Sequence, residues 1–402
     1  MWFHPIPMIL CGLLVLAALA SAKPTVAVAF MDVKFDDKAA IWSLMLDDRY
    51  SRAIAITSGI NAHKKAAQEL YEYLGRQNIM PIGKRFDTNK LTILQGDNGL
   101  GKAAPHEEWW RNQRELRVAE ATEATLRPLL RGNQVRVFQI APTVPSQVKA
   151  VIEAADPGSI DSYMLLHGYN SRQINTEQQV SFLRSLQSEL RDRNPMAYVT
   201  FTSSFDTYAN KDGGKQPYTA IQHMFPKEDL DQAVKDPFWS GQILKAPSEL
   251  KVGPFRVQDR AQLDSMIYHA RMDPLKNKAS RQQLLGYVQA GIEAGPRQPQ
   301  LKNVLHRFEN KLVQEFRGNN PVTLELADAA HIAAFHRHLD SIASPRPSGM
   351  ELRPIKFGAG PYAENARIPF QQGSNWDNHG YLLTGADRDI DLDYIKRLAQ
   401  IH

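Results

Sequence analysis

Cysteine is almost absent from this sequence, since its single cysteine, Cys11, lies within the first 22 of 402 residues. The remainder of the chain therefore has no thiol for a disulfide or for nucleophilic chemistry. A large excess of charge is also missing: 48 basic residues face 43 acidic ones, and no dense Lys/Arg stripe occurs. We therefore expect no nucleic-acid partner.

Charged side chains are missing altogether from residues 1–22. An apolar run, Ile9–Leu19, is followed by Ala20-Ser21-Ala22, which fits a small-x-small cleavage site. This pattern predicts a secretory signal peptide that is removed before Lys23, and hence a secreted or periplasmic protein. An uncleaved membrane anchor is the alternative, although the run is short for a spanning helix. No later segment reaches transmembrane length, so we expect no membrane association after cleavage.

Apolar segments typical of buried strands alternate with amphipathic segments typical of helices through the rest of the chain. The predicted strands are 25–30, 53–57, 91–94, 134–140, 163–166 and 197–202. The predicted helices are 39–46, 62–74, 106–130, 148–155, 177–191, 261–293, 301–316, 324–338 and 390–401. This alternation predicts an α/β fold with an open, mostly parallel sheet flanked by helices. We expect a single domain over 23–402, with a loop-rich insert at about 208–260.

Three carboxylates follow the first predicted strand directly: Asp32, Asp36 and Asp37. The carboxyl ends of parallel strands are where open α/β sheets bind ligands. Clustered carboxylates repel one another unless a cation or strong donors compensate, and hard divalent cations prefer such oxygen ligands. Two other interpretations remain open: an acidic, solvated turn, or a pair of N-terminal carboxylates for the helix predicted from Ala39.

The string Phe30-Met31-Asp32-Val33-Lys34-Phe35-Asp36-Asp37 resembles the Asp-rich strand end D-x-D-P-G-x-D-D of the inosine-uridine-type nucleoside hydrolases. Other segments are similar to that family's segments in the same order along the chain: 54–61, 96–101, 139–143, 163–169, 172–175, 198–207 and 325–333. Together the similar segments are spread over most of residues 24–402. The resemblance therefore implies a nucleoside-hydrolase-like fold.

By this resemblance, the protein would be a calcium-dependent hydrolase that cleaves the N-glycosidic bond of a purine or pyrimidine ribonucleoside. The implied Ca²⁺ ligands are Asp32, Asp37, the backbone carbonyl of Thr143, and Asp328, with Asp32 also acting as the catalytic general base. The implied substrate-binding residues are Asp36, Asn61, Gln95, Asn170, Gln173 and Asn175. A homodimer or homotetramer is also implied, because members of the family commonly form such assemblies.

The chain departs from the family pattern at several positions. Phe30 stands where the family has an aspartate, Lys34 where it has a glycine, and Gln173 where it has a glutamate. A cation at Lys34 would either form a salt bridge with Asp36 or disfavour calcium. Gln95 and Ala327 stand where the family's inosine-uridine members have histidines near the leaving group. These departures motivate an alternative function: a catalytically impaired nucleoside- or ribose-binding or interaction protein on the same fold.

Two segments of the sequence contain histidines in patterns that occur at functional sites. His167-Gly168 at a strand end is similar to the oxyanion turn of α/β-hydrolases, but the sequence has no Gly-x-Ser-x-Gly elbow, so we do not expect a serine hydrolase. His331, His336 and His338 are spaced as H-x4-H-x-H on one predicted helix. For these three we expect a charged helix face rather than a metal site.

Overall fold

A computed structural model describes residues 23–58, 70–75, 85, 87–96, 118–141, 143–166, 176–203, 206–208, 215–230, 323–342, 349–358, 370–374 and 376–400. The predicted signal peptide, the helices predicted at 261–293 and 301–316, and most of the 208–260 insert lie outside these described residues. Within the described part of the chain, no helix is both long enough and apolar enough to cross a membrane.

The strands, in chain order, are β1 (Thr25–Met31), β2 (Tyr50–Thr57), β3 (Leu91–Gln95), β4 (Gln134–Gln139), β5 (Ile160–Leu166), β6 (Tyr198–Thr202), β7 (Lys215–Pro217), β8 (Thr323–Glu325), β9 (Glu351–Phe357), β10 (Phe370–Gln372) and β11 (Gly380–Thr384). The helices are α1 (Phe35–Leu46), α2 (Glu123–Leu130), α3 (Pro145–Ala154), α4 (Thr176–Arg193), α5 (Tyr218–Ile221), α6 (Ala327–Ile342) and α7 (Arg388–Leu398). A 3₁₀ turn covers Thr88–Lys90.

Nine of these strands form one sheet in the order β10-β9-β11-β6-β5-β4-β1-β2-β3. The seven strands from β11 to β3 run parallel, whereas β9 is antiparallel to both of its neighbours. The mostly parallel α/β fold predicted from the sequence is therefore confirmed. The chain reverses its direction of travel across the sheet between β1 and β4, which is the point where doubly wound sheets open a ligand crevice.

The central strand β1 is apolar on both faces because helices cover both faces of the sheet. Val26, Val28 and Phe30 belong to a core cluster that also contains apolar side chains of α2, α3 and α4. The alternate residues Ala27 and Ala29 are fully buried and point to the opposite face, where α1 and α6 pack. Their small side chains let those two helices approach the sheet closely.

Several predicted helix boundaries are wrong in the described residues; α3, for example, begins at Pro145 rather than at Val148. The helix predicted from 106 does not include 118–122, because this segment is extended: Gln95 donates to Ala119 O at 2.9 Å and accepts from Ala121 N at 2.8 Å. Helix α2 begins only after Thr122, whose side chain caps it. Helix α1 begins at Phe35 rather than Ala39, so the acidic residues form its first turn. The helix predicted from 324 begins at Ala327, since 323–325 is strand β8.

The structure divides into two compact units, of which the first (Met1–Gly75, Lys84–Gly213 and Ala327–Ala399) contains the large sheet. The second comprises Arg76–Gly83, Gly214–Leu326 and Gln400–His402. In the second unit, β7 pairs antiparallel with β8, and α5 follows β7 directly. Residues 231–322 lie outside the described part, so a single domain with an insert at 208–260 stays a prediction.

Candidate functional site

The ends of three parallel strands, β1, β2 and β4, lie together at the carboxyl edge of the sheet. Asp32 follows β1, Ser58 follows β2, and Thr143 lies just beyond β4. The amide of Ser58 donates to Met31 O at 2.8 Å, and the hydroxyl oxygens of Ser58 and Thr143 lie 3.1 Å apart. These contacts hold the three strand ends together around Asp32, at the switch point of the sheet.

The turn from β1 into α1 is held by Asp37. One carboxylate oxygen of Asp37 accepts the amide of Asp32 at 3.2 Å, and the other accepts the amide of Lys34 at 3.1 Å. Lys34 is the N-cap of α1 and Asp37 its N3 residue, so this contact is half of a capping box. The interpretation of Asp37 as a carboxylate that caps the N-terminus of a helix is thus correct. A carboxylate has about four acceptor sites, however, so capping leaves Asp37 able to bind a cation as well.

Val33, between Asp32 and Lys34, has a φ of 58°. A β-branched residue rarely adopts this left-handed conformation. The D-P-G string of the resembled family has proline at this position, and the ring of proline fixes φ near −65°. The turn in this chain therefore follows a different backbone path from the one that the family string would impose.

Helix α6 brings a further carboxylate to the same place. Asp328 lies in the first turn of α6, and Asp36 and Asp37 lie in the first turn of α1, which packs against α6. One carboxylate oxygen from each of the three lies within 4.8 Å of the other two. Oxygens on opposite sides of a Ca²⁺ ion, bonded at about 2.3–2.6 Å, are about 4.6–5.2 Å apart. The three carboxylates therefore fit the coordination shell of one such cation.

Two of the three residues in the cluster are buried, and the carboxylates repel one another. Asp37 is 1% exposed and Asp328 is 4% exposed. Burial raises the pKa of Asp37 well above its usual value, and the charges of Asp32 and Asp328 raise it further. Burial also raises the pKa of Asp328, together with the charges of Asp36 and Asp32. Buried carboxylates in this situation are stabilised by a bound cation, which agrees with the oxygen spacing.

The ammonium group of Lys34 lies beside the carboxylate cluster. Its Nζ lies 2.5 Å from Oδ2 of Asp32, and both side chains are largely buried. Burial by itself would lower the pKa of Lys34, but the charge of Asp32 and the hydrogen bond to it outweigh burial and raise that pKa. Lys34 therefore stays protonated and forms its ion pair with Asp32, whereas the sequence analysis named Asp36 as the partner.

A close backbone approach lies beside these strand ends at Gly96. A Cβ atom at Gly96 would lie 2.1 Å from Thr57 O and 2.6 Å from Nε2 of Gln147. Gln147 is itself buried, in α3. Only glycine fits at this position. The sequence signal was the glycine-rich segment 96–101, but Gln147, which closes the space around it, was not singled out.

The structure brings together some of the site residues predicted from the sequence. Asp32, Asp37 and Asp328 interact electrostatically with one another, and Asp36, predicted to bind ribose, lies within the carboxylate cluster. Gln95 ends β3 at the same edge of the sheet, and Thr143 is buried with its hydroxyl against Ser58. The predicted residues outside the described part of the chain are Asn61, Asn170, Gln173 and Asn175. The roles assigned to all of these residues stay predictions.

The expectation of a charged helix face at His331, His336 and His338 is wrong. All three are buried, because α6 packs against α1 and α7 and contacts the sheet. Burial lowers the pKa of His331 to about 3, and burial together with the charge of Arg49 lowers that of His336 to about 3. The histidines are therefore neutral near pH 7. In the described part of the chain, the group spaced to share a metal ion consists of aspartates and contains no histidine.

No protein-family model and no curated protein matches this chain. Among solved structures, it is similar to an inosine-guanosine nucleoside hydrolase (10% identity, TM-score 0.45), covering 94% of this chain and 98% of that one. It is similar to a purine-preferring ribonucleoside hydrolase from Gardnerella vaginalis (11% identity, TM-score 0.44), covering 94% and 98%. A plant nucleoside hydrolase gives 10% identity and a TM-score of 0.39, covering 94% and 99%.

Proposed function

We propose that this protein is a cation-dependent hydrolase of the N-glycosidic bond of ribonucleosides. The observation that carries the proposal is the position of Asp36, Asp37 and Asp328. They form a compact carboxylate cluster next to Asp32, where the strand order of a doubly wound sheet reverses. Doubly wound sheets generally bind their ligands at such a point, and the string from Phe30 to Asp37 that lies there is the one that resembles nucleoside hydrolases.

The cation that we propose is Ca²⁺, because the available ligands are carboxylate oxygens and include neither sulfur nor imidazole. Asp36, Asp37 and Asp328 would hold it, with Thr143 nearby as the carbonyl ligand implied by the resemblance. When bound, such an ion would polarise the ribose hydroxyls and a water molecule. Asp36 would then serve the cation rather than hydrogen-bond ribose alone.

The side chains of the protein supply the remaining chemistry. Cleavage of an N-glycosidic bond develops positive charge on the ribosyl ring, and a cluster of carboxylates stabilises that charge. Asp32 accepts the proton of the attacking water as general base, with its Oδ2 oriented by Lys34. The substrates would be purine or pyrimidine ribonucleosides. Gln95, the last residue of β3, would lie beside the base of the nucleoside.

The test is release of ribose by the purified protein from a panel of purine and pyrimidine ribonucleosides, with calcium and with a chelator. We expect release that requires the cation and that is lost in Asp32→Asn. Ser51→Ala is the matched control, since its hydroxyl lies at the opposite, amino end of the sheet and donates to Thr25 O. A folded protein that releases no ribose from any nucleoside would contradict the proposal.

The ion pair between Lys34 and Asp32 favours a second candidate function: a nucleoside- or ribose-binding protein with impaired catalysis. An ammonium on the proposed general base competes with the proton that this base must accept. In that case the protein would bind nucleoside, measured by calorimetry, without releasing ribose, and Asp32→Asn would leave the binding affinity unchanged.

We further propose that the protein is secreted or periplasmic and assembles as a homodimer or homotetramer. The apolar, uncharged segment 1–22 supports export. Mass spectrometry of the mature N-terminus tests cleavage before Lys23, and light scattering tests the assembly. A protein recovered with residues 1–22 intact, or as a monomer, would contradict the corresponding proposal.

A further inference from the structure

We propose that Lys34 acts as a built-in cation that keeps Asp32 out of the divalent-cation shell and limits how tightly the site binds calcium. This inference rests on the proposed function, because it concerns the same site. It assigns Lys34 a role in setting cation affinity, and it reduces the carboxylate ligands to Asp36, Asp37 and Asp328.

The geometry of the pair supports this role. Nζ of Lys34 lies 2.5 Å from Oδ2 of Asp32. A divalent cation bound to the same oxygen would lie about 2.3–2.6 Å from it. The ammonium and the divalent ion would then be near neighbours with charges of the same sign, and the ammonium has no lone pair with which to bind the ion. Oδ2 therefore does not serve both, and Asp32 is not among the three residues whose carboxylate oxygens lie within 4.8 Å of one another.

The pair is also held in place from the backbone. Asp37 accepts hydrogen bonds from the amides of both Asp32 and Lys34, at 3.2 Å and 3.1 Å. Both residues of the ion pair are thus fixed by a residue of the carboxylate cluster itself. Lys34 interacts electrostatically with Asp36 and Asp37 as well as with Asp32, so its charge acts on the whole cluster.

Two consequences follow from electrostatics. In the absence of a divalent ion, Lys34 offsets part of the repulsion among four neighbouring carboxylates, so the folded protein tolerates the loss of calcium. In the presence of the ion, Lys34 repels it, so removal of the ammonium strengthens calcium binding.

The experiment compares calcium binding by isothermal titration calorimetry in metal-free wild type, Lys34→Met, and the double variant Asp32→Asn/Lys34→Met. We expect Lys34→Met to bind Ca²⁺ at least about tenfold more tightly, since it removes one repelling charge at short range. The double variant removes one charge of each sign, so the net charge of the cluster is that of wild type. We expect its calcium affinity to stay within about threefold of wild type, because Asp32 is not a ligand while Lys34 holds it.

Lys149→Met is the matched control. It removes the same charge from an exposed lysine of α3, which pairs with Glu153, and should leave calcium affinity unchanged. Melting in a chelator gives a second readout: Lys34→Met should melt below wild type, and the double variant near it. If Lys34→Met does not fold without calcium, the double variant carries the test by itself.

Three results would overturn the inference: Lys34→Met binding calcium no more tightly than wild type, the double variant losing more than tenfold in affinity, or no calcium binding by any of the proteins. Ribose release is assayed separately. The expected calorimetric pattern without ribose release would leave the role of Lys34 intact and remove the hydrolase function.

Discussion

The hydroxyl oxygens of Ser58 and Thr143 lie 3.1 Å apart, although the strands that precede them, β2 and β4, flank β1 on opposite sides. The Thr143 hydroxyl donates to Ala141 O at 3.0 Å, so its single hydrogen is used and the Ser58 hydroxyl is the donor to Thr143. The contact crosses the end of β1 and locks the strand ends on either side of Asp32.

Replacing Thr143 by valine should test this lock. The substitution keeps the shape and the backbone carbonyl but removes the hydroxyl, and with it the buried hydrogen bonds of Thr143 to Ser58 and to Ala141 O. We expect a loss of about 1–2 kcal/mol in the free energy of unfolding, measured by urea denaturation. Ser51→Ala, which removes an exposed hydroxyl, should change that free energy by less than about 0.5 kcal/mol. Equal losses in the two variants would contradict the lock.

Gly96→Ala should be strongly destabilising. The added methyl group would lie 2.1 Å from Thr57 O, a backbone atom at the carboxyl end of β2. We expect a loss of at least about 1–3 kcal/mol in the free energy of unfolding. Gly75→Ala is the matched control, because nothing lies within 4 Å of its added Cβ, and it should be neutral or mildly stabilising. Thermal melts of the two variants measure this difference. A melting temperature of Gly96→Ala equal to that of wild type would show that the backbone around Thr57 can move to accommodate the methyl group.

Asp328→Asn should uncouple the stability of the protein from calcium. The substitution removes one buried, repelling charge, so the variant should melt at or above the temperature of wild type in a chelator. At calcium concentrations about 100-fold above the dissociation constant, wild type should gain about 2.7 kcal/mol and the variant almost nothing. Asp340→Asn, on an exposed residue of the same helix, should keep the full calcium response. A calcium response in Asp328→Asn equal to that of wild type would exclude Asp328 as a ligand.

The free energy of unfolding should decrease as the pH is lowered, because His336 is buried in its neutral form. Its Nε2 lies 2.6 Å from the hydroxyl of Tyr50 and its Nδ1 lies 3.4 Å from Oδ2 of Asp47. The folded-state pKa is about 3, against an ordinary value of 6.5, so between these values the unfolded chain binds a proton that the folded chain does not. Acidification through this window therefore favours unfolding, by about 1.4 kcal/mol per pH unit.

His336→Gln should remove this contribution. The variant will be less stable than wild type at pH 7, but its free energy of unfolding should decline less steeply from pH 6 to pH 4. The difference between the two slopes isolates His336 from the other titrating groups. Urea titrations at several pH values measure it, and parallel slopes would show that His336 is protonated in the folded state.

The order of apolar and amphipathic segments was enough to predict the parallel sheet, and with it the edge at which Asp32 and Thr143 lie. Helix beginnings were harder to predict, because they depend on contacts distant in sequence. The segment around Glu120 is extended because it pairs with β3. Helix α1 begins before Ala39 because the carboxylate of Asp37 accepts the amide of Lys34 and so caps the helix one turn earlier.

The partner of Lys34 and the burial of the α6 histidines had no signal in the sequence alone. Lys34 lies within three residues of three aspartates, and only the left-handed turn at Val33 and the hydrogen bonds of Asp37 decide that it meets Asp32. The spacing of His331, His336 and His338 was interpreted as a charged helix face, but His336 is buried because α7 packs against α6.

The most direct test of the proposed cation site is a crystal structure of the protein soaked in calcium, with anomalous scattering used to locate the ion. We predict one peak within about 2.3–2.6 Å of a carboxylate oxygen from each of Asp36, Asp37 and Asp328, with the Lys34–Asp32 ion pair intact. A peak bound by Asp32 with Lys34 displaced, or no peak among these carboxylates, would contradict it.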